Sequence, residues 1–147
     1  MTDVDALGRE TVQGRRKSVE QGNDAAMNKL GDVHAEGLGV ARDYGAALGW
    51  YRKASTAGNL AAGYNIGTLY RNGSGVEKDY IAALPWYRRT AAQGHAWSMF
   101  SIGAMYRLGQ GVAKDPKQAA HWYQMAAEHG LVEGERAAFW GEMRASP

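Results

Sequence analysis

The sequence predicts an all-α protein, a solenoid of three helix–turn–helix repeats. Three observations predict it. A Trp-Tyr pair recurs at a spacing of 36 residues, at Trp50, Trp86 and Trp122. When the chain is divided into 24–59, 60–95 and 96–131, nine columns are identical in all three copies. Glycines occupy four of those nine columns. A period of this length is typical of a two-helix repeat that buries its apolar face only by stacking on its neighbours.

The ends of the chain are predicted to be caps of one solenoid domain. Residues 1–23 are interpreted as an N-terminal tail and capping helix, and residues 132–147 as a C-terminal capping helix. The first cap lacks the Trp-Tyr pair, and the second has Phe139 in a column that is Gly in every repeat. Terminal repeats of solenoids depart from the repeat pattern in this way because they face water on one side.

Composition narrows the function classes. The 147 residues include 17 Lys and Arg and 15 Asp and Glu, a formal net charge of +2. This balance gives no case for a nucleic-acid partner or an anionic membrane surface. The absence of Cys excludes disulfides, thiolate metal sites and a Cys nucleophile. No signal peptide and no transmembrane segment is recognised, so a cytoplasmic location is expected.

The first helix of each repeat is predicted at Asp24–Glu36, Leu60–Asn72 and Ala96–Leu108. Each has a glycine in its middle, at Gly31, Gly67 and Gly103. Glycine inside a helix costs about 1 kcal/mol relative to Ala. A close neighbour would compensate for this cost, and our hypothesis is that the Trp of the second helix packs there.

The second helix follows a Gly-x-Gly-Val link. The first link glycine suits the left-handed position after a helix, and the second permits the chain to reverse. Asp43, Asp79 and Asp115 then stand where an N-cap is expected. The apolar residues that follow recur at helical spacing and predict one buried face.

The combined pattern resembles the Sel1-like repeat, a relative of the tetratricopeptide repeat. It is Leu/Ile-Gly-x₂-Tyr-x₂-Gly-x-Gly-Val-x₂-Asp-x₃-Ala-x₂-Trp-Tyr-x₄-Ala-x₂-Gly, best preserved at 66–94 and 102–130. The resemblance implies a right-handed α–α superhelix whose first helices line a concave surface. It also implies a bacterial adaptor or scaffold that binds proteins. Some cysteine-rich members are associated with β-lactam binding or hydrolysis, and this chain has none of their cysteines.

No catalytic, metal or cofactor site is predicted. The Gly-x-Gly segments recur with the repeat and are not followed by the third glycine of a phosphate-binding loop. The four histidines, His34, His95, His121 and His129, have no spacing typical of metal ligands. The motifs of common serine hydrolases and zinc peptidases are also absent.

The candidate partner-binding residues lie in columns of the first helix that differ between copies. The Trp and Tyr columns are interpreted as core, because an aromatic repeated in every copy packs between repeats. The variable columns predict an aromatic and cationic strip composed of Tyr64, Thr68, Arg71, Trp97, Phe100 and Arg107. Aromatic and Arg side chains dominate protein interfaces.

The leading hypothesis is therefore a non-enzymatic adaptor that binds a protein or peptide on its first-helix surface. In a bacterium it would act as a regulatory scaffold or as a partner that neutralises an effector. One alternative is a hydrolase of the β-lactam-associated kind, which a nitrocefin assay would detect. Another is self-association through Phe139 and Trp140, which light scattering would detect.

Overall fold

The computed structural model describes residues 23–131, within which there are six α-helices and no β-strand. The helices are α1 (Asp24–Glu36), α2 (Tyr44–Thr56), α3 (Leu60–Asn72), α4 (Tyr80–Ala91), α5 (Ala96–Leu108) and α6 (Pro116–Glu128). The prediction of an all-α repeat fold is confirmed, and α1, α3 and α5 have the predicted bounds. Both predicted capping helices, with Phe139 and Trp140, lie outside the described residues.

A side chain just before each first helix caps it. The Oδ1 atom of Asn23 accepts a hydrogen bond from the third amide of α1 at 3.2 Å, and Asn59 does the same for α3 at 2.9 Å. In the third repeat the cap is His95, whose Nδ1 accepts from the amide of Ser98 at 3.2 Å. These bonds satisfy amides that have no acceptor within the helix.

The link between the two helices of a repeat has the predicted geometry. Gly37, Gly73 and Gly109 end the first helices in the left-handed region, with φ of 72°, 71° and 68°. Asp43, Asp79 and Asp115 cap the second helices through their side chains. Asp115 accepts from two amides, at 3.1 and 3.2 Å, and Pro116 follows at the first helical position.

Met1–Lys78 is the first of two compact units. Within it, α1 and α2 form an antiparallel pair. The amide of Asp43, just before α2, donates to the carbonyl of His34 near the end of α1 at 2.9 Å. The ring of Tyr51, further along α2, lies against Gly31 in the middle of α1. Contacts therefore move backwards along α1 as they move forwards along α2.

In the same unit, α3 lies beside α1 in the parallel direction. Asn59, before α3, donates to Asp24 at the start of α1 at 3.1 Å. Further along both helices, Asn65 donates to Asn28, also at 3.1 Å. Asn28 is buried, so this bond satisfies a polar side chain that would otherwise destabilise the fold.

Asp79–Pro147 is the second unit, and its described helices repeat the arrangement. Arg88 of α4 lies within 3.5 Å of the Tyr106 hydroxyl of α5. The amide of Asp115, just before α6, donates to the carbonyl of Tyr106 at 2.9 Å. Thus α5 packs between α4 and α6.

The second link glycine is required for packing as well as for the turn. A Cβ at Gly75, which has a φ of 73°, would overlap the Cβ of Tyr44 in the preceding repeat. A Cβ at Gly111, with a φ of 71°, would lie 3.1 Å from the backbone of Tyr80. In each unit the link of one repeat therefore contacts the start of the previous second helix directly.

At Gly31 and Gly103 the hypothesis that a Trp packs on the helix-interior glycine is wrong. The ring against Gly31 is that of Tyr51, and the ring against Gly103 is that of Tyr123, with Cδ1 and Cε1 both 2.8 Å from where a Cβ would lie. We call each pair a Gly–Tyr joint. Trp50, the residue before Tyr51, packs instead against Leu30 and Val33 of the first helix.

Candidate functional site

Three side chains of α5 form a row on the surface of the second unit. Trp97 is 43% exposed. Its ring meets that of Phe100 edge-on, with ring centroids 5.7 Å apart. Arg107, two turns beyond Phe100, is exposed. We call Trp97, Phe100 and Arg107 the α5 strip, and the structure brings these three predicted residues onto one helix.

Tyr123 of α6 contacts the α5 strip from its buried side. The Phe100 ring packs against the Tyr123 ring at a centroid distance of 5.0 Å. The Nε atom of Arg107 donates to the Tyr123 hydroxyl at 3.2 Å. Tyr123 is only 2% exposed and lies against Gly103 in the Gly–Tyr joint. The missing side chain at Gly103 therefore allows the buried ring to hold both Phe100 and Arg107.

The repetition of Tyr123 predicts a core position and does not by itself indicate the bond to Arg107. Its residue type carried a signal. A buried Tyr usually finds a hydrogen-bond partner for its hydroxyl. A column of Tyr rather than Phe therefore indicated that each copy bonds a polar neighbour.

The other three candidates, Tyr64, Thr68 and Arg71, belong to α3 in the first unit. All three are half-buried. The Thr68 hydroxyl donates back to the carbonyl of Tyr64 at 3.1 Å. They share a helix face by their spacing, and each has other interactions that hold it.

The joint of the first unit has an acidic partner in place of Arg107. The Tyr51 hydroxyl donates to Oδ1 of Asp32 at 2.7 Å. Burial, the bond to Asp32 and the negative charges of Asp32 and Glu36 together raise the pKa of Tyr51 well above its usual range. Lys29 pairs with the same carboxylate at 3.9 Å. The phenol of Tyr51 therefore stays protonated and acts as a fixed donor.

The three repeated tryptophans are half-buried side chains of the second helices. Trp50 packs against the buried pair Leu30 and Val33. The Lys53 ammonium lies 4.7 Å from its ring centroid. Trp86 similarly has the Arg89 guanidinium 5.5 Å from its ring. Cation–π contacts of this kind stabilise exposed ring faces by about 0.5–1 kcal/mol.

A polar network ties α5 to α4 at its capped end. The His95 ring nitrogen lies 2.8 Å from the Ser98 hydroxyl, which lies 2.5 Å from that of Thr90. Ser98 and Thr90 are buried, so Ser98 is not exposed as a nucleophile. Burial lowers the pKa of His95. His95 was not predicted as a cap, although Asn23 and Asn59 occupy the same column of the repeat.

Within residues 23–131, no three His, Asp or Glu side chains come together as metal ligands would. Nor do the helices of this part of the chain combine the length and apolar character that crossing a bilayer requires.

The two units thus define an α-helical repeat protein built from helix pairs joined by Gly-x-Gly links. The Sel1 repeat family model matches three segments, 24–59, 61–95 and 98–131. The chain belongs to the Sel1 repeat family.

Solved structures agree with this assignment. A Sel1 repeat protein from Oxalobacter formigenes is 39% identical over 76% of this chain and 46% of its own, with a TM-score of 0.71. The protective antigen c5321 of uropathogenic Escherichia coli, described as having an SLR fold, is 33% identical over 88% of this chain, with a TM-score of 0.77. This chain covers 28% of c5321, so it spans less than half the length of either protein.

Cysteine-rich protein B of Helicobacter pylori has the same fold at 20% identity, covering 89% of this chain and 94% of its own, with a TM-score of 0.68. A comparison with curated proteins found no match. Sel1 repeat proteins are generally non-catalytic scaffolds that bind other proteins.

Proposed function

We propose that this chain is a non-enzymatic adaptor that binds a protein partner through the α5 strip. The observation that carries the proposal is the pairing of an exposed Trp97, braced by Phe100, with an exposed Arg107 on the same helix. Large aromatic and Arg side chains on a rigid support are the residues that contribute most to protein interfaces. Their fixed positions reduce the entropy that binding would otherwise cost.

We propose α3 of the first unit, with Tyr64, Thr68 and Arg71, as a second and separate surface that contacts a partner. Its support is positional, since these residues occupy the same columns of the repeat as residues 100, 104 and 107 of α5. The proposed role is that of a regulatory scaffold or an effector-neutralising partner in a bacterial cell. Partner binding to the first helices of the repeats is what this role requires.

Partner capture with matched variants tests the proposal. The tagged chain is used to isolate proteins from its native cell, and captured proteins are identified by mass spectrometry. Replacing Trp97 and Arg107 with Ala should weaken binding of a specific partner at least about 30-fold, the effect of losing a single interface hot spot. The same change with Arg71→Ala added should abolish it.

Ile81→Ala is the control. Ile81 of α4 is 74% exposed, so this variant removes an apolar surface side chain outside the strip. It should capture the partner as the unchanged protein does, and circular dichroism should show the same helix content in every variant. If the triple variant still captures the partner, these residues are not the binding site.

A further inference from the structure

We infer that the α5 strip binds an extended acidic peptide segment. An aromatic or large aliphatic side chain would contact Trp97 and Phe100, and a carboxylate about three residues away would pair with Arg107. The inference rests on the proposed function, because it specifies the chemistry of the partner that the strip accepts.

Arg107 is held with one edge of its guanidinium engaged and another exposed. Its Nε is bonded to the Tyr123 hydroxyl at 3.2 Å. Within residues 23–131, no carboxylate lies within ion-pair distance of Arg107, and the 13 residues of α5 include no Asp or Glu. The two terminal nitrogens remain for a ligand. They form a planar fork that matches the two oxygens of a carboxylate.

The aromatic end of the strip is apolar and rigid. Trp97 and Phe100 pack edge to face, and Phe100 is in turn packed on the buried Tyr123. No charged side chain lies between this pair and Arg107 on α5. The pair therefore offers a surface for an apolar side chain and gains little from a charged one.

The distance along α5 sets the spacing of the peptide groups. Phe100 and Arg107 are seven residues apart, which corresponds to roughly 10 Å along a helix. An extended chain advances about 3.3 Å per residue. A carboxylate about three residues from the apolar side chain would therefore reach the guanidinium, whereas one directly adjacent would not.

The charge distribution favours a peptide over a nucleic acid. Affinity for nucleic acids depends on several Lys or Arg contacts to phosphates. The α5 strip has one cation, and the whole chain has a net charge of +2. One carboxylate complements one guanidinium, and the aromatic pair supplies the remaining contact area.

Matched synthetic peptides test this inference on the full chain. Each is a short, labelled Gly/Ser peptide that carries one Phe and one Asp, and binding is followed by fluorescence polarisation. Peptides with Asp three residues from Phe, in either order, should bind at least about tenfold more tightly than their Asn counterparts. Peptides in which Phe and Asp are adjacent should also bind about tenfold more weakly than those in which they are three residues apart. A labelled oligothymidylate serves as the nucleic-acid probe.

Protein variants assign the two ends of the peptide. Arg107→Glu should reverse the preference, so that a Lys in place of the peptide Asp now binds better. Trp97→Ala should weaken the Asp and Asn peptides equally. Tyr123→Phe keeps the ring on Gly103 and removes the hydroxyl that orients Arg107, so the ratio of Asp to Asn affinities should fall several-fold while binding of the Asn peptide is unchanged. Tyr51→Phe, the equivalent change in the first unit, should leave the ratio unaltered.

The outcomes separate this inference from the proposed function. A preference for Asp that survives Arg107→Glu overturns the inference, and so does peptide binding that ignores spacing. The inference is also overturned if the oligothymidylate binds more tightly than the Asp peptide. It is overturned as well if no peptide binds in a way that depends on Trp97 and Arg107. None of these results affects the partner-capture experiment, which uses no synthetic peptide and tests the proposed function by itself.

Discussion

The same Gly–Tyr joint occurs in both units with hydroxyl partners of opposite charge. In the first unit Tyr51 packs on Gly31 and donates to Asp32. In the second unit Tyr123 packs on Gly103 and accepts from Arg107. A phenol can do either, because its oxygen is both donor and acceptor. The repeated residues thus fix the geometry of the helix pair, and two neighbouring columns that vary between copies, one with Asp32 and the other with Arg107, decide which charge is presented.

Substitution of the glycines in the joints is expected to destabilise the fold strongly. Gly31→Ala and Gly103→Ala would each force a Cβ into a buried Tyr ring. Overpacking of this kind costs about 1–3 kcal/mol. We expect the larger loss for Gly31→Ala, since the ring of Tyr51 lies closer than that of Tyr123. Urea denaturation of each variant measures the free energy of unfolding.

Gly49→Ala is the matched control for these two variants. Gly49 lies inside α2 with open space where a Cβ would be. The change should stabilise the protein by about 0.5–1 kcal/mol, because Ala loses less conformational entropy in a helix. Equal effects at all three glycines would show that helix propensity alone, rather than ring packing, explains them.

Removing the hydroxyls should also distinguish the two joints. Tyr51→Phe removes a bond to a carboxylate, and bonds to charged groups contribute roughly 1.5–3 kcal/mol. Tyr123→Phe removes a longer bond to an Arg that remains exposed to water, so we expect a loss below about 1 kcal/mol. Urea denaturation at neutral pH decides the order. A larger loss for Tyr123→Phe would contradict the comparison drawn from the two geometries.

The N-caps should also give the two units a different pH dependence, because Asn caps α1 and α3 whereas His95 caps α5. Since burial lowers the pKa of His95, the unfolded chain takes up a proton at higher pH than the folded one. The contribution of neutral His95 to the free energy of unfolding is therefore fully present above about pH 6.5, the ordinary His pKa, and is lost as the pH falls below it. The cap itself contributes about 1 kcal/mol.

His95→Asn tests this by installing the residue type that caps α1 and α3. The variant should lose less stability than the unchanged protein between about pH 7.5 and pH 5.5, as measured by thermal unfolding at each pH. His121→Asn, at an exposed position of α6, is the control. If both substitutions alter the pH dependence equally, the cap of α5 is not its source.

The fold could be predicted in detail because a period of 36 residues tests each element three times in one sequence. Asp43 and Gly37 have local roles, as a cap and as a left-handed residue, and local roles follow from residue type. Which side chain packs on Gly31 could not be predicted from residue type. Trp50 and Tyr51 are adjacent on α2, and only the rotation of one helix against the other decides which faces the glycine.

For the candidate site, Trp97, Phe100 and Arg107 were identified because their columns vary between repeats. The bond from Arg107 to Tyr123 joins residues of different helices, so sequence spacing does not indicate it. Tyr123 also belongs to the repeated Tyr column, which the sequence pattern predicts to be core. His95 was missed because His is an uncommon N-cap, with a ring nitrogen in place of the side-chain oxygen that Ser, Thr, Asp and Asn supply.

The contact of Gly75 with Tyr44, repeated by Gly111 with Tyr80, has a consequence for how such a chain changes length. Each contact joins the link of one repeat to the second helix of the repeat before it. Duplicating a complete repeat copies both halves of the contact, so a longer protein arises without new pairing. Inserting a few residues into a helix moves one half only. The contact is therefore preserved when whole repeats are added. A substitution at the link glycine or at the Tyr that it contacts limits which residues fit at the other position.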